Sequence, residues 1–186
     1  MLESLLRATA TLVQTLEPGQ PLCILGARLM HDWLLQHGVE SSVLPCRVTI
    51  WNAAVLEREA EFVSIGYGYP DDRRAAFGYH PARDSYNGHL VVRVGDMILD
   101  PTLGQASNPV LGIVSGPLMA RIKQPTFFAG IGDFADEFRW GLGPRMRVSY
   151  RAEPTDLSYR RTYHWNDPQR AELVAALRVY DSAFAS

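Results

Sequence analysis

The stretch Asn87-Gly88-His89-Leu90-Val91-Val92-Arg93-Val94-Gly95-Asp96-Met97-Ile98-Leu99-Asp100-Pro101-Thr102 holds two short apolar runs around Gly95-Asp96. A Gly-Asp pair between such runs is a strong signal for a two-residue hairpin turn. With that turn, Val94 pairs with Met97, Arg93 with Ile98, Val92 with Leu99 and Val91 with Asp100. Side chains alternate across a strand, so Leu90, Val92, Val94, Met97 and Leu99 share one apolar face, which must be core. His89, Val91, Arg93, Ile98, Asp100 and Thr102 share the other. On that second face His89 and Asp100 are diagonal neighbours, at about 7–8 Å backbone spacing, within reach of a bridging hydrogen bond.

Working outward toward the N-terminus, Leu2 to Leu16 places Leu2, Leu5, Leu6, Leu12, Val13 and Leu16 on one helical stripe, with Thr9 its only polar member. Glu17-Pro18-Gly19 stops it. Pro21 is favoured in a first helical turn, and a second apolar helix carries Leu22, Leu25, Gly26, Ala27, Leu29 and Trp33 before His37 and an αL cap at Gly38. Val43 to Trp51 alternates as a strand, with Pro45 suggesting an edge position or the strand's start. Ala53 to Ala60 fits either helix or extended chain, and Glu61 to Tyr69 reads as a strand.

The run from Pro70 to Gly88 reads as a long aromatic loop, and loops of that length are functional or mobile. Thr102 to Gly143, rich in glycine and proline, carries the weakest pattern in the chain. Arg145 to Ala152 is a late strand. A last helix starts at Asp167-Pro168 and runs to about Ala183, with Ala171, Val174, Leu177, Val179 and Tyr180 available to pack.

The whole is read as one α+β domain over residues 1–186. Its 47% hydrophobic and 20% charged residues suit a globular chain and exclude a disordered one. A net charge of −2 argues against binding nucleic acid by bulk phosphate neutralisation. No apolar run approaches the roughly 20 residues of a membrane-spanning helix, and the first residues lack the basic start and cleavage site of a signal peptide. The expectation is therefore a cytoplasmic protein, with neither nucleic acid nor membrane as a partner. CxxC, HExxH, P-loop and GxGxxG patterns are all missing, so no metal or cofactor is expected.

Chemistry must then come from ordinary side chains. Cys23 falls in the first turn of the second helix, where unpaired N–H groups and the helix dipole favour an anion. A thiol so placed tends toward the reactive thiolate, and the same N–H groups could receive an oxyanion. The alternative is a small buried cysteine in an apolar helix. Asp100 would hold one ring nitrogen of His89 and leave the other as a base. Cys46 alternates with Leu44, Val48 and Ile50 and reads as core. His80, in the aromatic loop, is the one rival base.

A cysteine heading an apolar helix, then a strand, then Gly88-His89 opening an apolar strand and Leu99-Asp100-Pro101-Thr102 on the next, resembles the transglutaminase-like branch of the papain-like cysteine superfamily. Arylamine N-acetyltransferases and the leader peptidases of lasso-peptide biosynthesis are among its relatives. The likeness covers about residues 1–105, leaving 106–186 as a family-specific extension. It implies a papain-like core with the Cys-headed helix packed on an antiparallel sheet. It also implies Cys23 as nucleophile, His89 as base and later acid, and Asp100 as the orienting carboxylate.

The implied reaction is acyl transfer through a thioester on a peptide, protein or small amide, as a hydrolase or an acyltransferase. Trp51, Asn52, Tyr69, Tyr86 and Arg93 are candidate substrate-binding residues, each with an ordinary packing or solvated role as its alternative. A catalytically inactive peptide- or protein-binding module on the same fold is the competing function.

Overall fold

The computed structural model describes residues 1–16, 22–52, 64–67, 86, 88–111, 113–122, 134–142 and 146–184. Among the described residues, three helices, α1 (Leu2–Leu16), α2 (Cys23–Gln36) and α3 (Arg170–Phe184), accompany seven strands. These are β1 (Ser42–Asn52), β2 (Ser64–Tyr67), β3 (His89–Val94), β4 (Met97–Asp100), β5 (Ser115–Ile122), β6 (Phe134–Leu142) and β7 (Met146–Ala152). All the strand pairs are antiparallel, in the order β2-β1-β3-β4-β5-β6, with β7 also paired to β1. The α+β expectation therefore holds at the level of mixed helix and antiparallel sheet.

The periodic segments fold as their patterns dictate. Leu5, Leu6, Leu12 and Val13 of α1 are buried, while Leu16 at its end is exposed. Thr9, also on the buried stripe, donates its hydroxyl to the Leu5 carbonyl at 2.8 Å and so carries no unsatisfied polar atom into the core. Leu22, just before α2, and Leu25, Ala27, Leu29 and Trp33 within it are buried, and Gly38 with φ +71° follows the helix end. In α3, Val174 and Leu177 are buried; Ala171 faces solvent, and Leu173 packs on the core instead. This last helix begins at Arg170, three residues after Asp167, whose carboxylate accepts the Gln169 N–H at 2.8 Å.

The hairpin has the expected register, Val92 with Leu99, Arg93 with Ile98 and Val94 with Met97, around Gly95 at φ +58°. Both of its faces are buried. Leu90, Val92 and Leu99 join the helices in one core. Val91 and Ile98 join Val48, Ile50, Leu118, Ala120, Val148 and Tyr150 in a second core on the opposite side of the sheet. The hairpin's polar pair thus borders an apolar interior.

Two strands, β5 and β6, lie inside the glycine- and proline-rich span from Thr102 to Gly143. Their pairing is interrupted by register shifts between Ser115 and Met119 and between Ala120 and Arg121. Such bulges break the two-residue alternation by which a strand is recognised. Ala53 to Ala60 and nearly all of the Pro70–Gly88 loop, His80 included, lie outside the described residues.

β1 is the organising strand. Its residues Ser42–Cys46 pair with β3, and Cys46–Asn52 pair with β7. β2 pairs with Val48–Trp51 on the other edge. β3 and β7 therefore take successive halves of one edge of β1, and Cys46 faces both His89 and Ala152 at the exchange. Pro45 stands beside this exchange rather than at the strand's start, and its carbonyl accepts the Glu153 N–H at 2.8 Å. A residue with no backbone donor fits where one ladder stops and another begins.

Candidate active site

The exchange of partners along β1 puts the start of β3 beside the end of β7, and the candidate site is built there. Asp100, fully buried at the end of β4, accepts four hydrogen bonds. Its Oδ2 receives His89 Nε2 at 2.7 Å and the Tyr150 hydroxyl at 2.6 Å. Its Oδ1 receives the Thr102 N–H at 3.0 Å and the Thr102 hydroxyl at 3.3 Å. A buried carboxylate is costly unless paired and bonded, and here both oxygens are occupied. Burial pushes the Asp100 carboxyl up, but His89, Tyr150 and the Thr102 N–H outweigh it and hold it below the usual carboxylate range.

His89 is 4% exposed. Burial lowers its imidazole, yet the charge of Asp100 and the hydrogen bonds the ring donates to Asp100 and to the Cys23 side chain raise it to about 10. With Nε2 committed to Asp100, the nitrogen left for sulfur is Nδ1. The three side chains anticipated from the sequence therefore form one hydrogen-bonded chain, Cys23 to His89 to Asp100.

Local sequence explains how each member is held. Cys23 is the first residue of α2 and is partly exposed at the edge of the helical core. Gly88 must lack a side chain, because a Cβ there would lie 2.2 Å from the Tyr86 hydroxyl and 3.1 Å from the Cys46 carbonyl. Gly26, one turn after Cys23, lets α2 settle on the turn after β4: a Cβ there would meet Thr102 at 3.0 Å and Pro101 at 3.2 Å.

The remaining candidates are dispersed. Tyr86 is 6% exposed, donates its hydroxyl to the His89 carbonyl at 3.1 Å and stacks edge-on against Tyr159. It supports the backbone of His89 from inside the protein, the packing role rather than the substrate-facing one. Arg93 lies four residues along β3 from His89, about 13 Å at strand rise, and donates to the Gly95 carbonyl at 2.9 Å; it does not join the site. Trp51 and Asn52 end β1, opposite Arg147 and Met146 of β7. Tyr69 lies outside the described residues.

Cys46, 1% exposed, sits in the second core and donates its thiol to the His89 carbonyl at 3.3 Å. Burial, then the nearby Asp100 and Cys23 charges, push that thiol well above its ordinary value.

Tyr150 was not anticipated. The late strand that carries it was legible, and Val148 and Tyr150 alternate on it, but its bond to Asp100 spans 50 positions of sequence. Among the described residues no group of three or more His, Cys, Asp or Glu could hold a metal ion, and no helix is long and apolar enough to cross a membrane. Comparison with family models, curated proteins and solved structures gave no match, so the site's own geometry carries its interpretation.

Proposed function

We propose that the protein is a cysteine-dependent acyl-transfer enzyme of transglutaminase-like, papain-like type, acting on a peptide or amide through a thioester. The observation that carries this reading is the hydrogen-bonded chain from the partly exposed Cys23 thiol through His89 to the buried Asp100. A nucleophile within bonding reach of a base, itself oriented by a third group, is the arrangement that covalent catalysis requires.

In this reading the raised His89 keeps its proton at neutral pH, and the sulfur attacks as the thiolate, the nucleophilic form of a cysteine. The Cys23 sulfur attacks the acyl carbon. The carbon–nitrogen bond breaks, and the imidazolium gives its proton to the departing amine. Water or a second amine then attacks the thioester and returns a proton to His89, and the carbon–sulfur bond breaks to free Cys23. Asp100 stays ionised throughout, fixing the ring and its charge. The first-turn N–H groups of α2, which have no partner within the helix, would receive the oxyanion of each tetrahedral intermediate.

The test is site-resolved alkylation of the folded protein by iodoacetamide near pH 7, with each cysteine followed by peptide mass spectrometry. Cys23 should react far faster than Cys46, and His89→Ala should remove most of the difference. Slow, equal labelling of both cysteines would end the proposal.

A further inference from the structure

The nucleophile's helix begins without a local cap. Leu22 stands at the cap position, and its own side chain makes no cap hydrogen bond. Apolar residues are poor there, because the first N–H groups of a helix have no partner within it. The missing acceptor comes from elsewhere: Gln105 Oε1 accepts the Leu22 N–H at 3.1 Å, from 83 positions along the chain.

Gln105 lies in a 3-10 turn, Leu103–Ala106, that follows Asp100-Pro101-Thr102 directly. Four features of this short strap bear on the site. Asp100 holds His89. Thr102 holds Asp100 through its N–H and hydroxyl. Pro101 and Thr102 press on α2 where Gly26 leaves room. Gln105 fastens the residue just before Cys23. The Gln105 Oε1 assignment is fixed by its partner, since only the oxygen of a carboxamide can accept an N–H.

We infer that Gln105 is a positioning residue for the nucleophile: its carboxamide replaces the missing cap of α2 and locks Cys23 in register with the His89–Asp100 pair. This rests on the acyl-transfer reading of the site. The strap makes the carboxylate end and the sulfur end of the chain one mechanical unit, although only the former belongs to the hairpin. Loss of the Gln105 acceptor frees the first turn of α2 to fray and weakens the contact between sulfur and imidazole. The helix beyond Gly26 remains held by its buried face.

The experiment compares the wild type with Gln105→Met, which keeps length and removes the acceptor, Gln105→Glu, which keeps an acceptor oxygen, and His89→Ala. Two quantities are read: hydrogen exchange at the Leu22 amide, and the ratio of Cys23 alkylation rates at pH 7 and pH 9.5. Gln105→Met should lose protection at Leu22 and lower the rate ratio about fivefold, the factor matching a lost cap of ordinary strength. Gln105→Glu should restore the Leu22 protection.

A Gln105→Met protein whose ratio stays at the wild-type value, while His89→Ala lowers it, would overturn the inference and leave the proposed function standing. A ratio unmoved by His89→Ala would overturn both. A loss of Leu22 protection with an unchanged ratio would reduce Gln105 to a helix cap of no consequence for the sulfur, and would also overturn the inference.

Discussion

The head of α2 and the middle of β1 each offer a cysteine to the same histidine, and the two thiols meet opposite surroundings. Cys23 bonds the His89 ring from a partly exposed helix start. Cys46 bonds the His89 backbone carbonyl from within an apolar core, 1% exposed. Burial penalises the ionised form of Cys46, and the Asp100 charge adds to the penalty. Proximity to a histidine does not make a nucleophile. What matters is which part of the histidine is met, and whether a helix start or an oily wall lies on the other side of the sulfur. Cys46 is enclosed between the strands, and Cys23 is only partly buried.

The largest effect should come from removing the group that the contrast depends on. Asp100→Ala leaves His89 buried without its counter-charge and Tyr150 without its acceptor, a loss of about 3–5 kcal/mol on the scale of broken buried pairs. Denaturant unfolding checks the stability, and alkylation should no longer discriminate strongly between Cys23 and Cys46. If Asp100→Ala is as stable as the wild type, the buried pair is not what holds this part of the sheet.

The pair also sets a pH dependence. Because folding raises His89 from 6.5 to about 10, its contribution is complete below pH 6.5 and is lost as pH rises toward 10. The melting temperature should fall across that window in the wild type, and the fall should be much smaller in His89→Gln. Parallel curves for the two proteins would show that another group titrates there. Asp100 acts in the opposite sense: its pairing stabilises above the usual carboxylate range and is lost on acidification below it.

Gly88→Ala drives a methyl group onto the Tyr86 hydroxyl and against the Cys46 carbonyl, a strain of about 1–3 kcal/mol. It should displace His89 relative to Cys23, which a lower Cys23 alkylation rate would reveal. Tyr150→Phe removes one of the two donors to Asp100 Oδ2 and should cost about 1.5–3 kcal/mol, as for a bond to a charged group, with Cys23 still labelled faster than Cys46. Equal labelling in that variant would make Tyr150 an essential member of the site instead of a support. Smallest is Cys46→Ala, which should cost about 1 kcal/mol, at the lower end for truncating a small core residue, and leave Cys23 alkylation unchanged. A slower Cys23 in that variant would blur the division between the two thiols.

Much of the candidate site is legible in the sequence. The β3–β4 turn chemistry fixed which residues share a face, and that put His89 beside Asp100. Helical period and the break at Glu17-Pro18-Gly19 put Cys23 in the first turn of α2. The dispersed substrate candidates show the limit of such reading. Tyr86 and Arg93 have suitable chemistry and lie near His89 in sequence, yet Tyr86 turns inward to brace His89 and Arg93 lies toward the far end of the strand. β5 and β6 escaped because bulges and Gly116-Pro117 erase the alternation that marks a strand.

Local periodicity determined the helices, the hairpin and the pairing of imidazole with carboxylate, since backbone sterics fix 3.6- and 2-residue repeats within a few positions of any residue. Tertiary structure alone decided that Tyr150 reaches Asp100 across 50 positions, that Gln105 caps Leu22 across 83, and that the Cys46 thiol meets the backbone carbonyl of His89. Those contacts depend on how β1 divides one edge between β3 and β7, and on how closely α2 settles against the strap after β4. Both are outcomes of packing between segments far apart in the chain, to which no local pattern is sensitive.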